Sequence, residues 1–156
     1  MEKILIILDK KTEKNSLLIN DCFPLIKMKG IEITFSSIVQ IPFKYPIDSE
    51  DKELQKNFDY SEHLLKSFES NLNQIKIPYS RMNGLIYKVR DYFYGTIELS
   101  QEANSDLIIL PKSVFESFSE ILDSHNLENS IESIPFRGVK GINNLIMNFK
   151  SSILLW

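Results

Sequence analysis

The sequence contains few of the residues from which reactive centres and phosphate sites are usually built. Its single cysteine, Cys22, excludes an internal disulfide and fits a reducing compartment. The two histidines, His63 and His125, lie far apart and belong to no known metal-binding or nucleophile motif. Glycine is scarce, with five in 156 residues. We expect no catalytic residue and no metal site, and we interpret Cys22 as a packed thiol.

Excess positive charge and long hydrophobic segments are also missing. The formal net charge of -3 gives no basic surface, so we expect no nucleic-acid partner. The apolar run at residues 4–8 is too short for a signal-peptide core or a membrane span. No other uncharged stretch approaches the roughly 20 residues that a spanning helix needs. We therefore expect a cytoplasmic protein with no membrane contact.

Strand and helix patterns alternate along the chain. Apolar residues at helical spacing predict a long helix from Leu54 to Leu72, a helix from Leu18 to Lys29 that ends at Gly30, and two further helices at about 95–103 and 142–149. Pro24 interrupts the pattern from Leu18 to Lys29 and is expected to kink that helix. Short apolar or alternating segments predict five strands, at residues 4–8, 31–39, 85–89, 106–110 and 151–156.

Five strands separated by helices predict an α/β fold with a parallel sheet covered on both faces. The simplest arrangement is a single doubly wound domain over residues 1–156, with strand order 3-2-1-4-5. Residues 113–136 are rich in Ser, Glu and Asn, and we interpret them as an inserted excursion after the fourth strand.

Three segments carry a resemblance to a known family. KILIILD (residues 3–9), GTIELSQEANSDLIILPKS (95–113) and GINNLIMNFKSSILLW (141–156) resemble the first strand, the central helix–strand unit and the closing helix and strand of the universal stress proteins. The resemblance covers nearly the whole chain. It implies ATP or AMP as a possible ligand, with Asp9 near the adenine and ribose and Val39 where the backbone contacts adenine.

The chain departs from that family at the phosphate-binding turn. Nucleotide-binding members carry glycine-x-x-glycine after the fourth strand, whereas this chain has Pro111 and Val114 at the glycine positions. Proline lacks a backbone donor, and a β-branched residue resists the positive φ that glycine accepts. The sequence therefore predicts that the ATP phosphate loop is lost. Lys112 either attracts an anion as a point charge or is an ordinary solvated lysine.

A second phosphate site is possible further along the chain. The family's later glycine is replaced by Ser124, but an insertion would bring Gly138 or Gly141 to its place. These glycines lie in RGVKG (residues 137–141), where two cations at a predicted helix start favour an anion. The alternative is an exposed turn. Two interpretations also remain for Asp9, as a ligand-binding residue or a helix cap, and for Val39, as an adenine contact or a strand end.

The favoured function is a non-catalytic, stress-associated regulatory module without a working ATP site. The alternative is an ATP- or AMP-binding protein with a phosphate site near Gly138 and Gly141. A phosphoacceptor receiver fits less well because Asp9 has no neighbouring acid. The apolar last strand, expected at the sheet edge, and the resemblance both indicate a homodimer; other protein partners are not specified by the sequence. The expected interface residues are Ile153, Leu154, Leu155 and Trp156.

Overall fold

The computed structural model describes residues 1–114 and 151–156. Five strands lie in these residues: β1 (Lys3–Ile7), β2 (Glu32–Gln40), β3 (Met82–Val89), β4 (Leu107–Leu110) and β5 (Ser152–Leu155). They form one parallel sheet in the order β3-β2-β1-β4-β5. The predicted fold class and strand order are therefore confirmed. The predicted helix at 142–149 and nearly all of the predicted excursion at 113–136 lie outside the described residues.

Helices cover both faces of the sheet. The described helices are α1 (Thr12–Asp21), α2 (Phe23–Ile26), α3 (Lys52–Gln74) and α4 (Tyr92–Glu102), with a 3-10 turn at Tyr79–Arg81. Residues of α1, α2 and α3 share one hydrophobic cluster with the sheet, and residues of α4 share another on the opposite face. In the part of the chain that the structure describes, no helix is long and apolar enough to cross a membrane.

The central strand β1 is buried on both of its faces. Ile4 and Ile6 belong to the cluster of α1 and α3, whereas Leu5 and Ile7 belong to the cluster of α4. All four side chains are at most 1% exposed. Burying each such side chain favours folding by about 1.5 to 3 kcal/mol, which explains why this run contains only large aliphatic residues.

The single helix predicted from Leu18 to Lys29 was wrong in one respect, because it is divided at Cys22. Helix α1 ends at Asp21, and Pro24 lies in the first turn of α2. Proline cannot donate the backbone hydrogen bond that would continue α1, but it is tolerated in a first turn. Gly30 then has a φ of +85°, a left-handed conformation that favours glycine. Burial, together with the nearby Asp21, raises the pKa of the Cys22 thiol, as expected for a packed residue.

Helix α3 contributes to the hydrophobic cluster that it shares with α1 and α2. The Asp51 side chain caps its first turn by accepting a hydrogen bond from the backbone N–H of Glu53 at 2.9 Å. The Phe68 side chain is 1% exposed, and its ring centroid lies 5.1 Å from that of Phe35 on β2. The residues expected to form the apolar stripe of this helix are Leu54, Phe58, Ser61, Leu65, Phe68 and Leu72. All are buried except Phe58 and Leu65, which are partly buried, and Leu64 next to the stripe is buried as well.

Close packing on the other face requires a glycine in α4. A Cβ atom added to Gly95 would lie 2.1 Å from the Val89 Cγ1 atom, far inside van der Waals contact. Gly95 therefore lets α4 approach the end of β3. This approach also fixes where α4 begins, next to the carboxyl ends of the strands.

We expect Phe68→Ala to lower the free energy of unfolding by about 3 to 5 kcal/mol, because it leaves a cavity against Phe35. Phe43→Ala is the matched control, since the Phe43 side chain is 86% exposed. It should cost about 1 kcal/mol at most, from its contact with Arg90. Urea denaturation followed by circular dichroism measures both values. Equal losses for the two variants would contradict the assignment of Phe68 to the core.

Candidate ligand-binding cleft

A cleft opens where β1 and β4 end, at the point where the strand order reverses direction. Ligands of open parallel sheets usually bind in the crevice at such a switch point. The cavity has a volume of about 460 Å³, within the range of small-molecule sites. It is lined by Asp9, Lys10, Lys11, Lys14, Gln40, Tyr92, Ser113 and Val114.

Asp9 connects the two sides of this cleft. It follows β1 and is only 5% exposed. Its Oδ1 atom accepts a hydrogen bond from the backbone N–H of Lys11 at 2.8 Å. Its Oδ2 atom accepts one from the Ser113 hydroxyl at 2.6 Å, and the Lys14 Nζ atom lies 3.9 Å from the same oxygen. Asp9 therefore holds the loop after β1 against the turn after β4.

The backbone of Asp9 is fixed by a second side chain. Asn15 is 2% exposed; its Oδ1 atom accepts from the Asp9 N–H and its Nδ2 atom donates to the Asp9 carbonyl, both at 2.8 Å. Both interpretations of Asp9 are thus compatible with its position, since it holds the local backbone and also lines the cleft. Its two carboxylate oxygens offer about four acceptor sites, so they have capacity for a ligand donor as well.

Three lysines give the cleft its positive charge. Lys10, Lys11 and Lys14 line the cavity with Asp9 as the one carboxylate among the lining residues that the structure describes. The backbone of Lys10 is fixed by α3, because the Tyr60 hydroxyl donates a hydrogen bond to the Lys10 carbonyl. This lining is positive although the whole chain has a formal net charge of -3, so the cleft attracts anions.

Tyr92 forms the wall on the side of α4. It is the first residue of this helix, which Asp91 caps by accepting from the N–H groups of Phe93 at 3.0 Å and Tyr94 at 2.9 Å. Burial, with a smaller contribution from the Asp9 carboxylate, raises the pKa of the Tyr92 phenol well above its usual value. Tyr92 therefore presents a neutral hydroxyl and an apolar ring near physiological pH.

The turn after β4 contributes Ser113 and Val114 to the cleft, but not Lys112. The backbone N–H of Lys112 donates to the Trp156 carbonyl at 2.6 Å, and that of Val114 donates to the Pro111 carbonyl at 2.9 Å. The Lys112 residue itself is exposed. Of the predicted site residues, the structure thus brings Asp9 to the cleft and leaves Lys112 outside it.

The other predicted ligand residues lie elsewhere. Val39 is 5% exposed and lines an adjoining cavity of about 230 Å³, which shares Lys10 and Gln40 with the cleft. Gly138 and Gly141 lie outside the described residues. The residues that sequence reasoning missed are Lys10, Lys11, Lys14, Gln40, Tyr92 and Ser113. The lysines carried a signal, since they directly follow a predicted central strand, but no role was predicted for them.

The four predicted dimer residues lie on or next to the edge strand β5. Ile153 and Leu154 are partly buried on opposite faces of the sheet, each against one of the hydrophobic clusters. Leu155 is 42% exposed. Trp156 packs against the core, and its Nε1 atom donates to Asp21 at 2.9 Å.

Groups suited to covalent or metal chemistry are scarce near the cleft. Within residues 1–114 and 151–156, no three His, Cys, Asp or Glu side chains are grouped as metal ligands would be. His63 is exposed on α3, and Cys22 is buried. His125 lies outside these residues. The arrangement of the cleft is suited to holding an anionic ligand by charge and hydrogen bonds.

We expect Asp9→Ala to lower the free energy of unfolding by about 2 kcal/mol, because the Lys11 N–H and the Ser113 hydroxyl both lose their acceptor. Asp9→Asn should cost about 1 kcal/mol, since one amide oxygen remains. Asp48→Ala, at an exposed aspartate, is the control and should leave stability unchanged. Chemical denaturation measures all three. An Asp9→Ala variant as stable as the control would show that this connection does not hold the cleft together.

No protein-family model matches the sequence, and no curated protein matches it. Solved structures do share its fold. A universal stress protein family member from Burkholderia pseudomallei has a TM-score of 0.61 at 12% identity, over 99% of this chain and 95% of its own. A universal stress protein in complex with cAMP has a TM-score of 0.58 at 10% identity, over 99% and 96% of the two chains.

A third structure, a universal stress protein family member from Arabidopsis thaliana with AMP bound, has a TM-score of 0.57 at 11% identity. It is matched over 99% of this chain and 90% of its own. At such identities the likeness concerns the fold. The protein therefore has the fold of the universal stress proteins, as the resemblance of its sequence to that family implied.

Proposed function

We propose that this protein is a non-catalytic, stress-associated regulatory module of the cytoplasm, which binds an adenine mononucleotide and acts as a homodimer. The observation that carries the proposal is the positively charged cleft at the switch point, where three lysines surround the buried carboxylate of Asp9. The remaining support comes from the fold, the chemistry of the turn after β4 and the edge position of β5.

The ligand class is supported by similarity and by size. Proteins of the same fold are known in complex with cAMP and with AMP bound. The cavity of about 460 Å³ lies in the range of small-ligand sites. The Tyr92 ring offers an apolar surface to a base, and Asp9 offers acceptors to the amino or hydroxyl groups of a nucleoside. Fold alone does not determine a ligand, so these local groups are what favours a nucleotide.

A monophosphate is favoured over ATP by the turn after β4. Glycine-rich turns bind phosphates through free backbone amides. Here the N–H groups of Lys112 and Val114 already donate to the Trp156 and Pro111 carbonyls. A triphosphate held by this turn would have to break these hydrogen bonds. The alternative is that the phosphates of ATP or AMP lie near Gly138 and Gly141, in which case ATP would bind tightly.

A non-catalytic role is favoured by the groups around the cleft. The Asp91 carboxylate, which follows β3, is engaged as the cap of α4. The raised pKa of the Tyr92 phenol keeps it protonated near neutral pH, so the phenolate that could accept a proton is scarcely populated. The buried thiol of Cys22 also has a raised pKa and belongs to the core, away from the residues that line the cleft.

The homodimer is favoured by β5. Among the residues that the structure describes, this strand pairs with β4 on one side and with no strand on the other, and such an edge invites pairing with another chain. Ile153 and Leu154 support the strand from within, and Leu155 is exposed. Trp156 orders the end of the strand through its contact with Asp21.

Isothermal calorimetry tests the ligand. We expect AMP to give saturable heat and magnesium-ATP to give none at micromolar nucleotide, because the Lys112 and Val114 amides of the turn after β4 already donate within the protein. GMP is the control for recognition of the base. A tight, stoichiometric ATP isotherm would favour the alternative site near Gly138 and Gly141, and the absence of binding by every adenine nucleotide would refute the proposal.

Light scattering tests the homodimer. The intact chain should have about twice the 18.2 kDa mass of the monomer. Leu155→Lys should shift it toward the monomer, because it places a charge on the exposed side of β5. Leu17→Lys is the matched control, since Leu17 on α1 is 55% exposed and should leave the mass unchanged. A monomeric intact chain at tens of micromolar would refute pairing through β5.

A further inference from the structure

We infer that the lysines after β1, Lys10, Lys11 and Lys14, bind the phosphate of the ligand, and that the turn after β4 does not. The inference rests on the proposed function for the nucleoside part of the ligand. It assigns a site that the resemblance to universal stress proteins does not imply, because phosphates there are expected after the fourth strand.

The first argument is where the cations lie. All three lysines of the cleft come from the loop after β1 and the first turn of α1. The turn after β4 contributes no cation to the cleft lining, since Lys112 is not among the lining residues. An anion entering the cleft is therefore drawn to the β1 side.

The second argument is the position of the one carboxylate. The Asp9 Oδ2 atom accepts a hydrogen bond from the Ser113 hydroxyl at 2.6 Å, so its negative charge lies against the turn after β4, and Lys14 on the β1 side lies 3.9 Å from the same oxygen. A phosphate placed at that turn would meet this carboxylate directly, and like charges repel. The Ser113 hydroxyl donates its proton to Asp9, which leaves that proton unavailable to a phosphate.

The third argument is the balance of charge. Three lysines against one aspartate leave an excess of two positive charges in the described lining. A single phosphate monoester carries about -1.5 to -2 at pH 7 and matches this excess. A cyclic phosphate diester, with one negative charge, matches it less well, and a triphosphate exceeds it. The charges thus favour a nucleoside monophosphate.

The location of the phosphate is tested first with inorganic phosphate on the ¹⁵N-labelled chain. Titration should shift the backbone amide signals of residues 10–15 and leave those of residues 112–114 nearly unchanged. Lys10→Gln combined with Lys11→Gln should abolish the shifts, whereas Lys112→Gln should preserve them. Shifts confined to residues 112–114 or 137–141, or no shifts at all, would overturn the inference.

Calorimetry with AMP and adenosine then separates the phosphate from the nucleoside. The double lysine variant should weaken AMP binding by about tenfold, from two partly exposed ion pairs, and leave adenosine binding unchanged. Added salt should weaken AMP in the same selective way. Unchanged AMP affinity in the double variant would overturn the inference. A different result would show that the proposed function is wrong. AMP and adenosine would then bind no better than inorganic phosphate, while the amide shifts would still locate the anion.

Discussion

The burial of β1 between two layers of helices determines where this protein has its cleft. Ile4 and Ile6 hold α1 and α3 to one face of the sheet, and Leu5 and Ile7 hold α4 to the other. With β2 on one side and β4 on the other, β1 is also the strand at which the order reverses. Its carboxyl end cannot be covered by a direct connection to β4, and the crevice lies there.

Much of the fold could be predicted because the buried residues of a helix or strand recur at regular spacing in the sequence. The aliphatic run of β1 and the stripe that includes Phe68 on α3 reflect contacts that every residue of those elements makes with one core. The break between α1 and α2 was harder to predict. Pro24 is compatible with a kinked helix and with the first turn of a new one, and only the packing around Cys22 decides between them.

The cleft was less predictable because its members are distant in sequence. Asp9 was singled out because the resemblance to universal stress proteins places it near the ligand. Tyr92 and Ser113 meet it only through the crossing of α4 and the end of β4, and neither has a local pattern that indicates this. Lys112 is a different case. The sequence left open whether it attracts an anion or is solvated, because the backbone bond of its turn to Trp156 belongs to a tertiary arrangement that no spacing rule contains.

Trp156 gives the protein an optical reporter at the end of its chain. It is the single tryptophan of the sequence. Its indole is hydrogen-bonded to Asp21 at the end of α1, and its backbone is bonded to Leu110 and Lys112 around the end of β4. The tryptophan fluorescence of the protein therefore originates where three separate parts of the chain meet. Its emission follows the docking of the last strand and the turn beside the cleft, so fraying at this edge is visible spectroscopically while the rest of the sheet stays intact.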